Sequence, residues 1–174
     1  MHIVIILLRL LHIVFGALWV GVAIFVPFFL VPALNEAGPA AGPVMGALQR
    51  RGMSQVIAAF AGTSILAGVL LLWRVSDGFG PVFMGSHMGI ALSTGALLSL
   101  IGFGIGMAVV KPAMERAGTL SQGLAAMTSE SERAAQTATI GALRARGAAG
   151  GKIVAWLLLA AVYAMAVARY LLGM

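Results

Sequence analysis

Long uninterrupted apolar runs alternate with short polar connections along this chain. The runs cover 3–34, 53–73, 82–110 and 153–172. At about 1.5 Å rise per residue, each is long enough to cross a hydrocarbon core that needs ~20 apolar residues. Backbone amides in lipid must be paired within the segment, which makes each run a helix. The pattern predicts an all-α integral membrane four-helix bundle, a single transmembrane domain over 1–174.

The connections carry their own signals. Pro27 and Pro32 are expected to bend or end the first helix. Residues 35–46, NEAGPAAGPVMG, read as an irregular link. The longest polar stretch is 112–151. Within it Ser129 precedes Glu132 by three, which resembles a capping box, and Glu130 and Glu132 fall in the first turn. Arg144 and Arg146 followed by Gly147 close that segment. A short helix over about 129–146 is therefore expected between spans 3 and 4, lying on the bundle or the membrane surface. The first span is expected to be a mature helix and not a signal peptide. It has no basic start, it is too long, and no small-residue cleavage site interrupts it.

Composition agrees with a membrane protein. The chain is 61% hydrophobic and only 9% charged, with a mean hydropathy of +1.04; a soluble domain carries ~25% charged residues. A net charge of +6 raises nucleic acid as a partner, but the distribution of the basic residues excludes it. Eight lie between spans 1 and 2 or between spans 3 and 4: Arg50, Arg51, Lys111, Arg116, Arg133, Arg144, Arg146 and Lys152. Three lie on the other side: Arg9, Arg74 and Arg169. That asymmetry is a topology signal; it places the two longer connections in the cytoplasm and both termini outside it, as in a multi-pass protein of a bacterial inner membrane. With no cysteine, disulfides, thiolate metal sites and thiol catalysis are excluded.

Small residues mark where helices can approach. Gly102 and Gly106 form a GxxxG, and Ala91, Gly95 and Ser99 make a ridge on the same helix. Ala58, Gly62, Ser64 and Gly68 do the same on the second helix. Such ridges serve packing within the bundle, a homodimer, or docking into a larger membrane complex.

Few polar groups lie inside the spans. Arg9 and His12 are three apart and share a helix face, which Gly16 and Trp19 continue. His12 sits on the order of 13–15 Å into its helix, and an ionisable group at that depth is a candidate functional residue. The bland alternative is a neutral histidine bonded to a neighbouring helix. His87 opens the third span on the same side, so His12 and His87 are expected at comparable depth and close together. Met84 and Met88 flank His87, and Met165 belongs to the same leaflet on the fourth helix. Imidazole with thioether suits Cu(I) or a haem iron, although methionine is also a common core filler. The acidic residues Glu36, Asp77, Glu115, Glu130 and Glu132 all fall in connections or at helix ends.

The first helix, RLLHIVFGALWVGVAIFVPFFLVPAL, resembles the first helix of the CopD-like and HemJ-type bacterial membrane proteins, with a Leu-His start and a Trp seven residues on. LQRRGMSQVIAAFAGTSILAGVLLLWR is similar to their second helix, and AMAVARYLLG to the last helix of four-span relatives. The resemblance implies haem b bound through the first-helix histidine, here His12, or a role in copper uptake. In the HemJ-type pattern the third helix carries His-x-Lys. His87 matches the histidine, but Gly89 stands at the lysine position, which argues against protoporphyrinogen oxidation.

Three functions compete on these residues. One is a haem b protein with His12 and His87 as axial ligands and Arg9 and Trp19 at the cofactor. Another is copper binding by His12, His87, Met84 and Met88. The third is an accessory subunit without any cofactor. All three share one topology. A reporter that works only outside the cytoplasm should be active when fused after Met174; activity only from a cytoplasmic reporter at that point would reverse the whole arrangement.

Overall fold

The computed structural model describes residues 2–38 and 41–171. No strand occurs among them, and four helices are long and apolar enough to cross a membrane. They are α1 (His2–Glu36), α3 (Met53–Val75), α5 (His87–Gly123) and α6 (Glu130–Leu171). Two shorter helices join them, α2 (Ala41–Arg50) and the single turn α4 (Pro81–Met84). Their outward faces are apolar: Ile6, Leu10, Val14, Leu66, Leu97 and Val162 are all exposed, as lipid contact requires.

Three of these helices run further than the apolar pattern predicts. α1 passes through Pro27 and Pro32, and α5 passes through Pro112. Each contains one wide π-type turn, at Val26–Leu30 and Gly106–Val110, closed by Val31 N–H to Val26 O and by Lys111 N–H to Gly106 O. Both wide turns end two residues before a proline, Pro32 and Pro112. Proline offers no N–H and crowds the carbonyl four residues back. A wide turn shifts the local register and lets the helix continue.

α6 corrects the expectation of a separate helix over 129–146. Ser129 does cap it, accepting from Glu132 N–H at 3.5 Å, but the helix runs on into the fourth span without a break. Gly147, Gly150 and Gly151 do not end it because each is a contact point. A Cβ on Gly147 would meet Met114 Sδ at 2.8 Å, one on Gly150 would meet Val110 at 3.1 Å, and one on Gly151 would meet Pro27 at 3.4 Å. The Gly/Pro-rich link over 35–46 is likewise helical from Ala41 onward. Pro39 and Ala40 within that link, and the expected end of the fourth span at Leu172, lie outside the described residues.

Packing follows two pairs. α1 lies against α3, and α5 against α6, with fewer contacts between the pairs. The α5–α6 seam is made by small residues. Gly95 faces Met165 and Ala161, and Gly102 faces Leu158 and Val154. The seam continues through Val110 with Gly150 and Met114 with Gly147. It ends in polar bonds, Gln136 Nε2 to Leu120 O at 2.8 Å and Arg144 Nη2 to Ser121 Oγ at 3.3 Å. Trp19, Ala61, Val154 and Leu158 form a buried centre where the two pairs meet.

The seam yields a test. A Cβ at Gly95 would stand 2.7 Å from Met165 Cγ and 3.0 Å from Ala161 O, whereas one at Gly104 meets nothing within 4 Å. Gly95→Val should lower stability by about 1–3 kcal/mol through overpacking. Gly104→Val should leave the thermal unfolding midpoint in detergent nearly unchanged.

Candidate functional site

His12 is held between α1 and α3. Its Nδ1 lies 2.9 Å from Ser64 O. A carbonyl only accepts, so Nδ1 carries the proton and donates. The Ser64 hydroxyl lies 3.4 Å from the same nitrogen and donates to His12 O at 3.0 Å. The side chain and carbonyl of Ser64 thus both bind one residue of α1. Two glycines make this possible. A Cβ at Gly16 would meet Ser64 Oγ at 3.0 Å, and a Cβ at Gly68 would meet His12 Cε1 at 2.7 Å. The Cε1–Nδ1 edge of the ring packs against α3 at Gly68.

That arrangement fixes the other ring nitrogen. With the proton on Nδ1, Nε2 of the neutral ring is a bare acceptor. Nε2 has no hydrogen-bond partner among the described residues. No buried side-chain nitrogen or oxygen among them lacks one, so Nε2 is open. His12 lines a cavity of about 270 Å³ between α1, α3 and α5, together with Arg9, Trp19, Ser99 and Met165. Ile13, Val69, Val75 and Leu100 line it too and are exposed on the apolar exterior. The cavity therefore faces lipid on one side.

The candidate residues divide on this geometry. Arg9, exposed, stands at the cavity lining with His12. Trp19 is only 6% exposed, meets Phe103 edge-to-face at 6.4 Å, and forms a wall of this cavity. On its other side lies an apolar chamber of about 150 Å³ that includes Met45, Met53, Met107 and Met114. His87, Met84 and Met88 do not line the His12 cavity. Ser86 caps α5, accepting from Gly89 N–H at 3.1 Å, so His87 is the first residue of the helix and is exposed. Met84 belongs to α4, where Ser93 Oγ lies 4.0 Å from its Sδ. The sulfur residue that shares the His12 cavity is Met165 of α6. No cluster of three or more His, Cys, Asp or Glu side chains suited to a metal ion occurs among the described residues.

Gly89 has a structural reason to be glycine. Any Cβ there would fall within contact distance of the Phe83 carbonyl and crowd Met84. The lysine of the His-x-Lys pattern cannot be placed on this α4–α5 corner. Ser64 and Gly68 were visible in the sequence as part of a small-residue ridge, four residues apart on one face. Their pairing with His12 depends on which helix lies opposite, which spacing alone does not state.

No family model matches the chain, and neither the curated proteins nor the solved structures show a match to it.

The His12 pocket is sensitive to the smallest change in α3. Gly68→Ala should displace the imidazole from Ser64 O, since its methyl group would occupy the space of Cε1. The expected result is a loss of roughly 1–3 kcal/mol and a shifted His12 ring resonance by NMR of labelled protein. An unchanged His12 environment in Gly68→Ala would show that the ring does not rest on this backbone.

Proposed function

We propose that this chain is a multi-pass membrane protein that binds haem b beside His12. The observation that carries the reading is the fixed tautomer: Nδ1–H is bound to Ser64 O, which leaves Nε2 as a bare acceptor on a residue that lines an apolar cavity. A histidine ligand to a metal characteristically donates its other nitrogen to a carbonyl or carboxylate, which orients the ring and raises its basicity. Ser64 supplies that partner from the backbone, a bond that no side-chain substitution at 64 removes outright.

The surrounding residues fit the group in their chemistry. Arg9 supplies a cation for a propionate at the cavity edge. Met165 supplies a thioether from the opposite helix pair, where the sequence suggested His87. Trp19 closes the inner end. The cavity, at about 270 Å³, lies at the low end of the ~300–1,000 Å³ common for ligand sites, and its lipid-facing side leaves room for a planar macrocycle to extend outward. His12 and Met165 are the side chains that would hold the group, and haem b would supply one-electron chemistry there. In the topology set by the basic residues, both termini and the His12 cavity lie on the extracytoplasmic side of a bacterial inner membrane. The projecting α5–α6 hairpin lies in the cytoplasm.

A second reading rests on the glycines without neighbours. Cβ atoms at Gly21, Gly62 and Gly104 would meet nothing within 4 Å. These open faces suit an accessory subunit that docks beside another membrane helix, or a homodimer.

The visible spectrum of the purified protein separates the two. A Soret band lost in His12→Ala, with helical content and membrane insertion retained, is the expected result. A His12→Ala protein with unaltered haem content, or a wild-type protein that takes up no haem on reconstitution, would remove the haem reading and leave the docking one.

A further inference from the structure

A third cavity lies where the helices leave the apolar slab. It measures about 270 Å³ and is enclosed by the end of α1, by α2, and by the projecting parts of α5 and α6. Its walls are mixed. Val31, Leu34, Met45 and Met114 give an apolar side, and Asn35, Gln49 and Arg144 give a polar one. No acidic residue lines it.

Arg144 is the key group. It is half-buried, and its one hydrogen bond among the described residues goes to the Ser121 hydroxyl at 3.3 Å. A guanidinium has five N–H donors in a planar fork. The carboxylates nearest in sequence, Glu130 and Glu132, are exposed at the far end of α6, and neither borders the cavity. Gln49 is committed on one side, with Nε2 donating to Met114 O at 3.1 Å, and its amide lies against Gly118. A half-buried cation without a counter-charge is costly unless an anion reaches it. The cavity sits beside 31–35, where the first apolar run ends, and an apolar span ends towards the head-group region of a bilayer.

We propose that this cavity binds the phosphate of an anionic phospholipid head group through Arg144, with the apolar wall of Val31, Leu34 and Met45 against the start of the lipid's chains. Basic pockets between helices at the membrane boundary bind such head groups, and the arginine fork matches a phosphate with two parallel hydrogen bonds. This site is separate from the His12 cavity and does not depend on haem binding there.

The test uses the full-length protein in neutral detergent and native mass spectrometry. Dioctanoyl phosphatidylglycerol, dioctanoyl phosphatidylcholine and inorganic phosphate are titrated in parallel. The expected result is a saturable one-to-one adduct with phosphatidylglycerol and a much weaker one with phosphatidylcholine. Arg144→Gln should weaken the adduct about tenfold or more, the scale of one charged hydrogen bond. Arg144→Lys should retain part of it. Arg146→Gln, an exposed change of equal charge on the same helix, should leave it intact. Equal binding by inorganic phosphate would keep the anion site and identify free phosphate as its ligand. Equal binding of the two lipids, or equal losses in Arg144→Gln and Arg146→Gln, would overturn the proposal. So would the absence of any saturable adduct, a result from the unmodified protein that needs no variant to fold.

Discussion

Close approach of helix backbones is the constraint on which this molecule rests. Lipid tails are as apolar as leucine, so burying side chains between helices gains little from the hydrophobic effect. Dispersion and short backbone distances must supply the association instead. Gly95 and Gly102 on α5, with Gly147 and Gly150 on α6, let two long helices lie together from one side of the apolar slab to well beyond the other. The α1–α3 pair uses the same device over a shorter length, with Gly16 and Gly68 admitting Ser64 and His12. The cavities then follow from what is left. Two tightly joined pairs meet mainly through Trp19, Ala61, Val154 and Leu158, and space remains on either side of that contact.

His12 belongs to both levels of this organisation. It is a packing element, since its ring replaces a side chain on Gly68, and it is a polar element, since it takes a carbonyl of the opposite helix. A polar group in hydrocarbon normally finds a partner, and this one finds it in a backbone atom that is already part of α3. The consequence is a ring whose orientation is set by the helix pair itself. That separates His12 from His87, whose position at the first turn of α5 leaves it on the surface.

The sequence showed the four apolar helices clearly, because their length and hydropathy have no other physical outcome. It was less informative about their ends. Gly147, after Arg144 and Arg146, read as the close of a short helix, but in α6 its lack of a side chain is what Met114 on the neighbouring helix requires. Pro27 and Pro32 read as a bend or an end of the first helix, yet a wide turn carries the helix through. Ser86 followed by His87 held a legible signal, a capping serine that places the histidine at a helix start, and the leaflet argument alone passed over it. At the site, His12 and Trp19 stood out as polar or aromatic groups at depth on one face. Ser64, Gly68 and Met165 gained their meaning only from which helices lie opposite, and local spacing does not encode that.

The two wide turns share a level. Pro27 of the first turn touches Gly151, and Val110 of the second touches Gly150, adjacent residues of α6. Beyond this level α6 continues for about 20 residues to Glu130, roughly 30 Å at helical rise, with the outer part of α5 bonded to it. Irregular turns on α1 and α5 thus meet a pair of glycines on α6 in one plane. That plane also borders the methionine-lined chamber, whose walls include Pro27, Val110 and Gly151. A side chain added at Gly150 or Gly151 would therefore press on a wide turn and on the chamber wall together.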